Sequence, residues 1–211
     1  PLTPPHQRFY RSAPVARSIY RPCDDIKLPG RQHCRALYIP TTYTGNGLYG
    51  PFHIYEDANY QRWQQSLFEG FPALTFKAHP KSRSQPYAEL PLDRRQLEEI
   101  IFDYELFVFD YFATGSMLAL MSDKPVIYFD IGLRRLHPDF TRDLNSRCEY
   151  AKIDLGGDMA EQVRLALAYF RSAGTVRSNT ALARYALCEK SSFNWFELFN
   201  TTAQGMPPPW E

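Results

Sequence analysis

An excess of either sign of charge is missing from this sequence: 24 Lys and Arg stand against 23 Asp and Glu. A nucleic-acid track, which gathers a basic excess on one face, is therefore not expected. The arginines cluster only locally, between positions 8 and 35, at Arg94-Arg95 and at Arg134-Arg135, a pattern that suits small anionic ligands. Cysteine is scarce as well. Cys23, Cys34, Cys148 and Cys188 lie far apart with no CxxC pair, which excludes a zinc-ribbon spacing and reads as reduced thiols in a cytosolic protein. No apolar run is long enough to span a bilayer, and the Pro- and Arg-rich start has no signal-peptide core. Also absent are a GxxxxGK[ST] loop, a GxGxxG opening a helix and an HExxH pair. His6, His33, His53, His79 and His137 show no ligand spacing, so no structural metal is expected.

Apolar and aromatic residues, by contrast, are plentiful. The apolar share is 44%, ample for one packed domain in 211 residues. Residues 1–34 carry Pro, Arg and Tyr without periodicity and read as an extended linker or the remnant of a preceding domain; they pack on the domain or on a neighbour outside the chain. The start at Pro1, without methionine, is expected of a piece of a longer protein. From there, short apolar runs alternate with helical patterns. Strands are expected at 35–40, 73–78, 106–110, 125–130 and 150–154. Helices are expected at 57–68, from Asp93 to 102, from Thr114 or Ser116 to 121, at 159–172, 180–187 and 193–199. An arginine-rich loop is expected between the fourth and fifth strands. Alternation of this kind, with runs apolar on both faces, predicts an α/β fold: a Rossmann-like, doubly wound parallel sheet over residues 35–200, followed by a disordered tail at 201–211.

In such a sheet, ligands bind beyond the carboxyl ends of the strands. The first strand delivers Thr41, Thr42 and the loop of Gly45 and Gly47. The second delivers Lys77 and His79, which extended alternation points to one side, ahead of Pro80. The third delivers Asp110 and the turn Ala113-Thr114-Gly115-Ser116. The fourth delivers Asp130, Gly132 and Arg134-Arg135. A small, hydroxyl-rich turn entering a helix leaves backbone N–H groups facing outward with the positive end of the dipole behind them, a ready anion site. Gly115 is expected to keep a side chain out of a phosphate's way. Read alone, Thr114 or Ser116 is an ordinary N-cap; its place at the end of the most apolar strand favours the anion site. Lys77 with His79 suits a diphosphate clamp, or else a solvated lysine and a backbone-bonded histidine. Asp110 and Asp130 are candidates to orient a hydroxyl or ribose, or are caps. Trp63, Trp195 and the tyrosines read as packing residues.

The order of these motifs resembles the carboxyl-terminal domain of GT-B glycosyltransferases. Lys77-Ala78-His79-Pro80 comes first, then Asp110-Tyr111-(x)2-Thr114-Gly115-Ser116, then Lys124-Pro125-Val126-Ile127. The bacterial CDP-glycerol glycerophosphotransferases and capsule polysaccharide transferases are the subset most similar. The resemblance covers about residues 35–170. It implies one half of a GT-B fold and a metal-independent transferase that binds a CDP-, CMP- or UDP-linked donor as substrate, with no other cofactor. Lys77 and His79 would contact the donor phosphates, His79 being the one candidate catalytic residue. Thr114, Gly115 and Ser116 would supply helix-start contacts, and Thr41 and Thr42 would line the cleft. The implied partners are a glycan or lipid-linked acceptor and an amino-terminal acceptor domain outside this chain. The implied place is the cytoplasm, with peripheral attachment to the inner face of the membrane. A nucleotide-sugar epimerase domain and a non-catalytic nucleotide-binding module share the fold; the epimerase would need an acid/base pair, of which only His79 is identified.

Overall fold

A computed structural model describes residues 19–30, 34–41, 57–79, 90–180 and 182. Its centre is a six-stranded, all-parallel sheet in the order β3-β2-β1-β4-β5-β6. The strands are β1 (Ala36–Ile39), β2 (Leu74–Lys77), β3 (Leu92–Asp93), β4 (Leu106–Phe109), β5 (Val126–Asp130) and β6 (Glu149–Lys152). Between them run α1 (Asp57–Gly70), α2 (Leu97–Ile100), α3 (Thr114–Met121) and α4 (Pro138–Arg147), and α5 (Met159–Ala173) follows the last strand. This is the expected doubly wound Rossmann-like fold.

Strand alternation sorts the core into two faces. Leu37, Phe107, Phe109 and Tyr128 pack with α2, α3 and α4, through Leu97, Ile100, Leu118, Phe140 and Leu144. Tyr38, Phe76, Val108 and Phe129 pack with α1 and α5, through Trp63, Leu67, Val163, Leu167 and Phe170. β4 is buried on both faces, as its unbroken LFVF predicts. On α5 the buried stripe runs Ala160, Val163, Leu167, Phe170, and Leu165 is 60% exposed.

Two elements differ from expectation, Asp93 with the helix after it and the arginine-rich loop. Asp93 is not a helix cap: it lies in the edge strand β3, where its carboxylate accepts from Arg95 (Nη2, 2.7 Å) and the Tyr104 hydroxyl (3.0 Å). The helix after it accordingly begins only at Leu97. The arginine-rich loop contains α4, started by Pro138 behind a His137 whose Nδ1 accepts from the Asp139 N–H. Residues 19–30, within the segment read as a linker, are fastened to the domain. Ile26 and Arg177 exchange backbone bonds at 2.9 and 2.8 Å, and buried Asn179 donates to Arg21 O and Ser122 O while accepting from Cys23 N–H. Arg177 in turn forms a bidentate pair with Glu149. Cys23, Cys34 and Cys148 are free thiols. Among the described residues no helix is long and apolar enough to cross a membrane. The expected helix over 193–199, the tail at 201–211, and Thr42, Gly45 and Gly47 lie outside the described residues.

α1 and α5 approach each other closely at Gly70. A Cβ at Gly70 would sit 2.7 Å from Val163 Cβ and 2.8 Å from Ala160 O. Neither atom is the loose end of a side chain, so the helices would have to part. Gly70→Ala is expected to cost about 1–3 kcal/mol through overpacking, lowering the thermal midpoint by about 2–4 °C per kcal/mol for a domain of this size. An unchanged midpoint would show that the two helices are not in this contact.

Candidate functional site

The sheet order reverses direction between β1 and β4: the chain leaves β1 toward β2 on one side and leaves β4 toward β5 on the other. The crevice opened there, outside the carboxyl ends, is where a doubly wound fold binds ligands. Its two lips are the segment after β1, with Thr41, and the turn after β4, residues 110–116.

The turn is shaped by its own hydroxyl. Ser116 Oγ accepts the Ala113 N–H at 2.7 Å and lies 2.8 Å from Ala113 O, to which it donates. Ser116 is buried and Thr114 exposed. The serine therefore clasps the start of α3, and its hydroxyl would have to break these bonds to reach a phosphate. What faces outward is the backbone: the first helical bond is Met117 N–H to Ala113 O, so the N–H groups of Thr114, Gly115 and Ser116 precede any helical acceptor. Gly115 has a different reason from the expected one. A Cβ there would point inward, 3.4 Å from Leu97 Cδ2 and 3.5 Å from Ile39 Cγ2, and not into the crevice mouth. The glycine lets α3 lie close on β1 and α2.

Lys77 lies on the same face of the sheet as Ile39. Leu74 and Phe76 belong to the α1 side, so alternation sends Lys77 to the α2 side. It stands one position past the Tyr38↔Phe76 register pair, level with Ile39. Ile39 is thus flanked by Lys77 across the strands and by Gly115 above. Lys77 is only 7% exposed, and its Nζ donates to Ala78 O at 3.0 Å. No carboxylate among the described residues lies within ion-pair distance of it. Burial pulls its pKa below the usual lysine value, while the more distant charges of Asp93 and Glu98 partly restore it. His79 follows, half-buried, just past the strand end.

Asp110 does not face the crevice. Alternation carries it to the α1 side, where it is fully buried. Tyr60 Oη donates to Oδ1 at 2.9 Å, Trp63 Nε1 donates to Oδ2 at 2.8 Å, and Tyr38 Oη also donates to Oδ2. Tyr60 Oη in turn accepts the Thr41 N–H at 3.1 Å, and Tyr38 Oη accepts from Gln64 Nε2 at 3.0 Å. Burial pushes the Asp110 carboxyl up to about 6 against the lowering effect of these bonds. A role in orienting a ribose or acceptor hydroxyl does not fit a carboxylate enclosed in this way. Asp130 is likewise engaged, accepting from Gly132 N–H (2.9 Å) and the Tyr150 hydroxyl. Gly132, at φ 77°, makes the turn that only glycine adopts readily.

Arg134, one of the clustered arginines read as suited to a small anionic ligand, contacts this turn. Arg134 reaches back from the loop after β5, donates to Phe112 O at 2.8 Å and lies over the Tyr111 ring at 5.6 Å. Its signal was only the Arg134-Arg135 pair at a strand end. The structure thus brings Thr41, Lys77, Gly115 and the α3 start to the two sides of one crevice and turns Asp110 and the Ser116 hydroxyl inward.

No family model matches the chain, and no curated protein does. Among solved structures, one described as the glycotransferase of kitacinnamycin superposes with a TM-score of 0.43 at 15% identity, covering 77% of this chain. The chain spans 41% of that protein's length.

Proposed function

We propose that this domain binds the nucleotide diphosphate of an activated donor for a glycosyl- or glycerophosphotransferase of surface-polysaccharide synthesis. One observation carries the reading: a buried lysine with no ion pair among the described residues stands level with Ile39, one strand from the switch point of the sheet, and Gly115 at the start of α3 packs on that same Ile39. A buried ammonium is costly without an anion nearby, and a helix start with outward N–H groups attracts one. A diphosphate would span the two. In this scheme Lys77 and the N–H groups of Thr114, Gly115 and Ser116 hold the phosphates, the Thr114 hydroxyl adds a donor, and His79 stands where it could pass a proton to the leaving phosphate. Fixed donors of this kind stabilise the negative charge that builds on the departing nucleotide. The resemblance in motif order favours a cytidine or uridine donor, and a separate domain would carry the glycan or lipid-linked acceptor at the cytoplasmic face of the membrane.

Calorimetric titration of the full chain with CMP, CDP, UDP and GDP tests this. A diphosphate is expected to bind more tightly than the monophosphate. Lys77→Ala is expected to weaken the diphosphate by about 2 kcal/mol, within the range of a charge-assisted hydrogen bond, or about thirtyfold in Kd. Absence of binding by every nucleotide, or full affinity in Lys77→Ala, would overturn the assignment.

A further inference from the structure

We infer that Tyr60 is a positioning residue that ties the two lips of the crevice together; the inference rests on reading that crevice as the donor site. The lips belong to different strands and are not adjacent in sequence, yet one oxygen on α1 touches both. Tyr60 Oη accepts the Thr41 N–H at 3.1 Å and lies 2.9 Å from Asp110 Oδ1.

The backbone N–H of Thr41 and Trp63 Nε1 can only donate. Tyr60 therefore receives from Thr41, the Tyr38 and Tyr60 hydroxyls lie 3.2 Å apart, and both reach the carboxylate. These groups converge on Asp110, the residue that begins the turn leading to α3. Tyr38 and Trp63 brace that carboxylate from β1 and α1. Tyr60 also holds the segment after β1, through the Thr41 N–H. Removing its hydroxyl would take away the acceptor of the Thr41 N–H while leaving the ring, and the packing it provides beside Trp63 and Leu67, in place.

Tyr38→Phe is the matched control, because it removes one donor to Asp110 and the 3.2 Å contact with Tyr60 Oη but leaves the acceptor for the Thr41 N–H in place. In the full chain, Thr41 amide exchange is measured by NMR, and CDP and UDP affinities by calorimetry. Tyr60→Phe is expected to speed Thr41 exchange by at least about fivefold, the worth of one buried hydrogen bond, and to weaken the nucleotide that binds by a similar factor. Tyr38→Phe is expected to leave both within about twofold, less than the loss of one such bond. Equal effects of the two variants on Thr41 exchange, or none in Tyr60→Phe, would overturn the inference. If wild-type protein binds neither nucleotide, the donor reading fails and Thr41 exchange alone decides the tie. Should Tyr60→Phe not fold, Thr41→Pro deletes the same bond from its other end, and unchanged nucleotide affinity in that variant would overturn the inference.

Discussion

Replacing Asp110 by alanine is expected to cost the domain about 3–5 kcal/mol, near the upper end for a single substitution. The side chain is 1% exposed and is the shared acceptor for Tyr38, Tyr60 and Trp63. Its loss strands three buried donors, and each unsatisfied group carries its own desolvation cost of about 1–3 kcal/mol, less than additively within one network. Asp110→Asn should cost less, since one oxygen remains, but its amide would face donors with a donor. The pH dependence separates the two contributions, burial and bonding. The folded carboxyl titrates at about 6, above its usual 3.8, so the folded state holds the proton more tightly than the unfolded chain. The stability gained from that proton is fully present below pH about 4 and is lost as pH rises through about 6, a change of about 3 kcal/mol. The side chains that bond Asp110 are the Tyr38 and Tyr60 hydroxyls and the Trp63 indole. Asp93 acts in the opposite sense and at lower pH: held at about 2 chiefly by Arg95, it contributes stability above pH about 4 that is lost as pH falls toward 2. The measurement is urea unfolding of wild type and Asp110→Asn from pH 4 to pH 7. The stability advantage of wild type should shrink as pH rises, and a constant difference would show that Asp110 does not titrate there.

The sheet was legible because burial on both faces leaves a mark. β1, β4 and β5 are unbroken apolar runs in the sequence, and β2 and β6 follow from their place in the alternation. β3 has no such mark: two residues at a sheet edge, one exposed and one charged, look like any loop. α4 was hidden for a related reason. Its apolar face is only Phe140 and Leu144, too few to show a period, and its third buried side chain is the guanidinium of Arg147. The signals that were present, Pro138 and the acidic Asp139 at its start, were outweighed by the arginines. Within the site, strand-end positions were legible and side-chain directions only partly so. Alternation alone places Asp110 on the face of Leu106 and Val108, away from Phe109 and α3, but a sequence does not reveal that Tyr38, Tyr60 and Trp63 converge on that face to receive it. The inward use of the Ser116 hydroxyl depends on the backbone of the Ala113 turn, which no pattern in the residues specifies.

Arg147→Met should be about as damaging as loss of Asp110, at about 3–5 kcal/mol, although Arg147 faces no carboxylate within ion-pair distance among the described residues. Its side chain is wholly buried between α4 and the end of α3, where Nε donates to Leu120 O at 2.8 Å and Nη2 to Lys124 O at 2.8 Å and Ser122 O at 3.1 Å. These carbonyls include the negative end of the α3 dipole, which is what stabilises a cation there. Burial still drags the guanidinium down to about 10, and Nη1 has no partner among the described residues, so the charge is held at a cost. Methionine would relieve that cost and fill much of the volume, but it would take the side-chain donor from the carbonyls of residues 120 and 124, while Ser122 O would keep only Asn179. Lysine would keep the charge yet place one ammonium where a planar fork spans several acceptors, and should recover only a minority of the loss. The consequence for the crevice follows from the helix between them. α3 is eight residues long, its start carrying the outward N–H groups and its end held by Arg147. A variant that loosens the end should therefore weaken diphosphate binding at the start. Calorimetric unfolding with and without CDP or UDP measures both effects. An Arg147→Met protein as stable as wild type would mean that water replaces the guanidinium at these carbonyls, while a destabilised protein with full nucleotide affinity would show that the two ends of α3 are not coupled.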